Sequence, residues 1–110
     1  MITDLNYLKT MSGGDSKFIQ EMIELFREQI EEYKQIMPEL LQNKDYNGLS
    51  KMAHKAKSSV AVMGMAMVAE ELKELEILAQ EEKEVERYEA MVAHFLEQST
   101  LAIVELEKNS

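Results

Sequence analysis

His54 stands in a stretch of the sequence that carries lysines and short side chains but no acidic residue. Residues 46–69 contain three lysines and no Asp or Glu, although the chain has 21 acidic residues and a formal net charge of −9. A neutral imidazole is a nucleophile near pH 7, since the unperturbed pKa of histidine is about 6.5. Nearby ammonium groups offset the charge of an incoming anion. The pattern therefore favours attack of His54 on a phosphoryl group to give phosphohistidine.

Helical spacing places His54 on the outer side of its helix. Residues three, four or seven positions away share a helical face with it, and here they are small or lysine. These residues are Asn47, Ser50, Lys51, Lys57, Ser58 and Ala61. Because Ala53 and Ala56 belong to the neighbouring buried stripe, we expect an exposed imidazole that another folded protein can reach. Lys57, with Lys51 or Lys55, is expected to offset the phosphoryl charge.

Apolar residues recur every three or four positions along most of the chain, which predicts four amphipathic helices. The first is expected to follow the N-cap Asp15 and to run through Pro38 with a kink. The second follows the N-cap Asp45 and ends or bends at Gly64. The third and fourth are predicted to bury Val68, Leu72, Leu75, Leu78 or Ala79, Val85, Tyr88, Val92, Phe95, Ala102 and Leu106.

Short loops between such helices predict an all-α fold, an antiparallel up-down four-helix bundle with a short lead-in helix at about residues 3–10. The length suits one domain over residues 1–110. The chain has no cysteine, which excludes disulfides and thiolate metal sites and favours a reducing, cytoplasmic location. Its negative charge disfavours nucleic acid and membrane surfaces as partners. We see no signal peptide and no stretch of about 20 apolar residues that could span a bilayer.

Two further patterns have simpler explanations. His94 has no lysine within one turn and is expected to be a helix-boundary residue bonded to Glu97. Met63, Met65 and Met67 stand two apart, and we expect them to fill gaps in a core with few aromatic residues rather than to bind Cu(I). The sequence lacks the His-x-x-x-His and Glu-x-x-His spacings of a helical metal site, so no metal ligand is predicted.

The segment "AHKAKSSVAVMGM", followed by "VAEELKELE", resembles the active-site region of the histidine-containing phosphotransfer (HPt) family. That family's pattern is His-x-Leu-Lys-Gly, a later glycine and an apolar-periodic helix that ends in Leu-Glu. His54 stands at the phosphoacceptor position, Lys57 and Gly64 match the lysine and the later glycine, and Leu75 and Glu76 match the end of the helix. Upstream, "YLKTMSGGDSKFIQEMIELFREQI" resembles the family's lead-in and first helix, so the resemblance extends to about residue 80.

The resemblance implies a histidine phosphotransfer protein that moves phosphoryl groups between aspartates of receiver domains in a multistep phosphorelay, without kinase activity of its own. His54 would attack through Nε2, Glu76 would hold the other ring nitrogen, and Lys57 would contact the phosphoryl group. The implied partners are response-regulator receiver domains and a hybrid sensor histidine kinase. The chain is expected to be a monomer without a cofactor, because the receiver's acidic pocket supplies Mg²⁺. The expected docking residues are Asn47, Ser50, Lys51, Lys55, Ser58 and Ala61.

Two residues depart from the family pattern. Ser58 replaces the glycine after the lysine, which could narrow partner choice, and Ala56 replaces the usual leucine. Two alternatives stay open at this point. His54 could be an ordinary solvated histidine, and the chain could be a non-catalytic helical module that binds a receiver or a sensor kinase without accepting phosphate.

Overall fold

The computed structural model describes residues 3–108, except for the side chain of Tyr7, and all regular elements in that part are helical. The elements are α1 (Asn6–Ser12), α2 (Ser16–Gln42), α3 (Tyr46–Val62), α4 (Ala66–Glu81), a 3₁₀ turn (Val85–Arg87) and α5 (Tyr88–Lys108). The predicted all-α class is confirmed. Ahead of the long helices, the short helix α1 starts at Asn6, whereas the sequence pattern suggested a start near Thr3. No helix within residues 3–108 is both long enough and apolar enough to cross a membrane.

Two aspartates begin the helices that the sequence analysis assigned to them. The Asp15 carboxylate accepts hydrogen bonds from the backbone N–H groups of Lys17 and Phe18 at the start of α2. Asp45 accepts one from Gly48 at the start of α3, at 2.9 Å. Such caps satisfy N–H groups that have no partner inside the helix and are worth about 1 kcal/mol each. They mark where α2 and α3 begin.

Helix α2 continues through Pro38 to Gln42. The apolar stripe explains this, because Tyr33 and Met37 are fully buried and Leu41 is partly buried beyond the proline. Burial of such side chains contributes about 1.5–3 kcal/mol each, comparable with the roughly 3 kcal/mol that a proline costs inside a helix. Packing of the apolar face therefore holds the helix together on both sides of Pro38.

Helix α3 packs most extensively against α4, and the small side chains of α3 make this possible. Ala53 and Ala56 are fully buried between Leu49 and Val60. The distance between packed helices depends on the side chains at the contact, so alanines at these positions bring the two backbones close together. The buried apolar residues of α4 and α5 are those predicted, namely Val68, Leu72, Leu75, Ala79, Tyr88, Val92, Phe95, Ala102 and Leu106. Of the remaining predicted positions, Leu78 and Val85 are only partly buried.

Gly64 lies in the turn between α3 and α4, and its lack of a side chain is required there. Its φ is +73°, a left-handed conformation that glycine adopts without strain. The backbone of Asp4 also crosses this turn, where Asp4 N–H donates to the carbonyl of Met63 at 3.0 Å. A Cβ on Gly64 would collide with the Asp4 backbone. The backbone at Asp4, just before α1, is thereby fastened to the turn from which α4 begins.

The three methionines around this turn do not share one environment. Met63 and Met65 are buried, as expected for gap-filling core residues. The expectation is wrong for Met67, whose exposure is 78%. Met67 lies in the first turn of α4, next to Val68, which takes the inward position. Helical geometry therefore points Met67 away from the core.

Candidate functional site

The site begins with His54, which lies about midway along α3 with 65% of its side chain exposed. Ala53 and Ala56 both face the core. Because successive residues lie 100° apart around a helix, the imidazole of His54 points away from that core-facing side. Helix α3 contributes no acidic residue of its own. The exposure predicted from the spacing is therefore observed.

Glu76 of α4 reaches the imidazole from the neighbouring helix. Its Oε2 lies 3.0 Å from His54 Nδ1, and its side chain is 22% exposed. Because Leu72, Leu75 and Ala79 face the core, Glu76 falls at the edge of α4 that borders α3. An ionised carboxylate can only accept hydrogen bonds, so Nδ1 is the ring nitrogen that carries the proton. In a neutral ring the lone pair is then on Nε2, which makes no hydrogen bond or ion pair with any residue in the range 3–108.

Lys57 binds the same carboxylate from the other side. Its Nζ lies 3.2 Å from Glu76 Oε1, and its side chain is 29% exposed. One carboxylate thus joins an imidazole and an ammonium group that stand three positions apart on α3. Both oxygens of Glu76 are engaged, which limits rotation of the carboxylate. The lysine also offsets the negative charge of the Glu76 carboxylate, which α4 places against α3, a helix without acidic residues of its own.

Most of the predicted docking residues lie on the surface of α3 around this cluster. Five are exposed along the helix, namely Asn47, Lys51, Lys55, Ser58 and Ala61. In the described part of the chain, neither Lys51 nor Lys55 forms an ion pair. The surface therefore combines uncompensated positive charge with short side chains, which suits an approaching anion.

Ser50 is the exception, and its predicted exposure is wrong. It is 7% exposed, and its Oγ donates to the backbone carbonyl of Glu76 at 2.8 Å. Ser50 shares a helical face with His54, but α4 packs over Ser50 itself, while Asn47 and Lys51 on either side of it stay exposed. Helical spacing within α3 could not reveal this, because the cover comes from another helix. The role of Ser50 as a partner contact is therefore withdrawn.

The second histidine also differs from its prediction. His94 Nε2 lies 2.9 Å from Glu71 Oε2 on α4, so the expected partner Glu97 is wrong. Helical proximity suggested Glu97, three residues away, whereas the closer acid comes from the packed neighbour. Within residues 3–108, no group of three His, Cys, Asp or Glu side chains is placed to hold a metal ion.

With this geometry in place, comparison with known proteins identifies the class of protein. The family model described as the Hpt domain matches residues 21–107, a span that contains most of α2 and all of α3 and α4. No curated protein and no solved structure matches the chain. The family match covers well over half of the sequence, and the chain therefore belongs to the Hpt domain family. Members of this family carry phosphoryl groups in the phosphorelays of two-component signalling, where they interact with receiver domains and histidine kinases.

Proposed function

We propose that this chain accepts a phosphoryl group on Nε2 of His54 from an aspartate of a receiver domain and passes it to a second receiver. The observation that carries the proposal is the orientation of the ring. Nδ1 is held by Glu76 at 3.0 Å, while Nε2 has no partner within residues 3–108 and 65% of the side chain is exposed. A nucleophile needs its lone pair outward and a fixed ring to attack in line.

In the proposed step, the Nε2 lone pair forms a bond to phosphorus while the bond from phosphorus to the aspartyl oxygen breaks. The aspartate leaves as a carboxylate with the electron pair of that bond. The ring keeps its proton on Nδ1 and gains positive charge, which the Glu76 carboxylate offsets through its hydrogen bond. The second transfer is the reverse reaction with another receiver's carboxylate as the nucleophile. Lys57 is proposed to contact the phosphoryl oxygens from its position beside Glu76.

The partner completes the chemistry that this chain lacks. We propose that the receiver's acidic pocket supplies the Mg²⁺ that neutralises the transferring group, so this chain works without a cofactor. Under this proposal the chain has no kinase activity of its own, and a hybrid sensor histidine kinase stands upstream. It acts as a cytoplasmic monomer that meets each receiver in turn.

The proposed architecture is an antiparallel up-down bundle formed as one domain over residues 1–110. Contacts between α2 and α5 support it, since Arg27 pairs with Glu107 whereas Tyr33, later in α2, packs on Phe95, earlier in α5. The contacts of α4 with α5 and with the 3₁₀ turn before it follow the same reversed order and are Glu71–His94 and Glu74–Arg87. Such an arrangement would keep the outer face of α3 available to a receiver.

The test is incubation with a receiver domain that carries a radioactive phosphoryl group on its aspartate. Wild type is expected to acquire a label that is labile in acid and stable in alkali, as expected of a phosphohistidine, whereas His54→Gln is expected to acquire none. Equal labelling of both proteins would show that another residue accepts the group. Stoichiometric binding of the receiver without any label would instead favour the non-catalytic interaction module.

A further inference from the structure

Ser50 lies one turn before His54 on α3 and contacts the same residue of α4. Its buried hydroxyl donates to the Glu76 carbonyl at 2.8 Å, while His54 and Lys57 engage the two carboxylate oxygens of Glu76. Positions 50, 54 and 57 follow one face of α3 at helical spacing. Three residues of one helix therefore hold one glutamate at three points, of which Ser50 alone holds the backbone.

The direction of this hydrogen bond is informative. A serine inside a helix commonly bonds to the carbonyl four residues earlier in its own helix. Here the hydroxyl bonds across to α4 instead. The Glu76 carbonyl lies inside α4, where the N–H four residues later is its helical partner, so the serine is not needed to satisfy it. What the bond adds is a fixed distance and register between α3 and α4 at the level of Glu76.

We propose that Ser50 is a positioning residue for phosphoryl transfer. By anchoring the backbone of Glu76, it keeps the carboxylate within reach of His54 Nδ1 and so keeps Nε2 as the unprotonated, outward nitrogen. Small displacements matter, because a misplacement of about 1 Å in a reacting group can cost about a hundredfold in rate. The inference rests on the proposed function of His54 and extends it to a residue that does not touch the phosphoryl group.

A matched control comes from another buried serine. Ser99 on α5 is fully buried, and its hydroxyl has no hydrogen-bond partner within residues 3–108. Ser99→Ala and Ser50→Ala remove the same atom from a buried helical position. Only the second removes an anchor of Glu76. Ser50→Thr keeps the hydroxyl and serves as the conservative variant.

The first measurement is the rate of labelling by a phosphorylated receiver. Ser50→Ala is expected to slow transfer about threefold to tenfold, which is the range that corresponds to the loss of one hydrogen bond. Ser50→Thr should recover most of the rate, and Ser99→Ala should match wild type. In a Glu76→Ala background, Ser50→Ala should have no further effect, because it acts through Glu76. An undiminished effect in that background would overturn the proposal, as would equal rates for Ser50→Ala and Ser99→Ala.

The second measurement separates this inference from the proposed function. Nitrogen-15 NMR spectra of the His54 ring report which nitrogen carries the proton, and they need no receiver. Ser50→Ala is expected to shift the ring away from the form protonated on Nδ1 alone, and Ser99→Ala is expected to leave it unchanged. If wild type accepts no phosphate, the proposed function fails while the spectra still decide the positioning. If Ser50→Ala lowers only the melting temperature and leaves the ring spectrum as in wild type, Ser50 is a packing residue and the inference is wrong.

Discussion

The two histidines of this chain are both exposed helical residues that contact a glutamate of α4, yet they present opposite ring nitrogens. His54 on α3 meets Glu76 through Nδ1 at 3.0 Å, whereas His94 on α5 meets Glu71 through Nε2 at 2.9 Å. The first contact leaves Nε2 without a partner within residues 3–108, whereas the second engages Nε2. The two rings therefore differ in the nitrogen that the carboxylate leaves without a partner, which is Nε2 in His54 and Nδ1 in His94, and the proposed function requires Nε2.

The surroundings of the two rings differ as well. Three positions after His54 stands Lys57, which is ion-paired with the same glutamate as the ring. Three positions after His94 stands Glu97, and the adjoining surface of α4 carries one lysine, Lys73, against three acids, Glu70, Glu74 and the partner Glu71. A phosphoryl group would meet attraction at the first ring and repulsion at the second.

The largest expected effect is the complete loss of labelling when His54 is replaced. His54→Gln removes the nucleophile, and no other residue in the described cluster can form the same bond to phosphorus. His94→Gln should label at the wild-type rate, because Glu71 engages Nε2 of His94 in the wild-type protein. The measurement is incorporation of radioactive phosphate from a labelled receiver. Loss of label in His94→Gln, with the fold intact by circular dichroism, would reverse the assignment of the two rings.

A smaller effect is expected from the glutamates that hold the rings. Glu76→Ala removes a charge-assisted hydrogen bond worth about 1.5–3 kcal/mol, which corresponds to about tenfold to a hundredfold slower transfer if the bond acts in the transition state. Glu71→Ala removes the matching contact at His94 and should leave the rate unchanged. Single-turnover transfer from a phosphorylated receiver measures both. Similar rates for the two variants would mean that ring orientation by Glu76 is not part of the mechanism.

Much of the fold could be predicted from the sequence because helical spacing acts over short distances. The positions of Asp15 and Asp45 as N-caps, and of Ala53 and Ala56 in the core, follow from local geometry and were predicted. The exposure of His54 follows from the same spacing. Its contact with Glu76 does not, since 22 residues separate the two, and only the family resemblance suggested it.

The predictions that failed at Ser50 and His94 both depended on a neighbouring helix. Ser50 was placed with the exposed row of α3, but α4 packs over this position of the row. His94 was assigned the acid nearest in sequence, whereas α4 supplies a closer one. Which element covers a given helical face depends on how the helices pack. A single sequence carries that information only indirectly, for example in a lone serine at the edge of an apolar stripe.

Lys57 should contribute less than Glu76, because its ammonium group is partly exposed to solvent, which weakens its proposed contact with the phosphoryl group. Lys57→Ala is expected to slow transfer about threefold to tenfold, in line with about 1 kcal/mol for such a contact. Lys34→Ala is the matched control, since Lys34 also forms an ion pair within hydrogen-bond reach, with Glu31 at 3.3 Å on α2. The same single-turnover assay applies. An equal effect of the two lysines would indicate a response to net charge rather than a local role.

The smallest expected effect is at His94 itself, when it is given the lysine that it lacks. Glu97→Lys in the His54→Gln background recreates the histidine–lysine spacing of positions 54 and 57 on α5. We expect no label, because Nε2 of His94 would still be engaged by Glu71 and the surface of α4 would remain acidic. A receiver that phosphorylates wild type provides the assay, and peptide mapping locates any label. Label at His94 would show that a lysine three positions away is enough to make a histidine accept phosphate. The ring nitrogen that the glutamate holds, on which the comparison of the two histidines depends, would then be secondary.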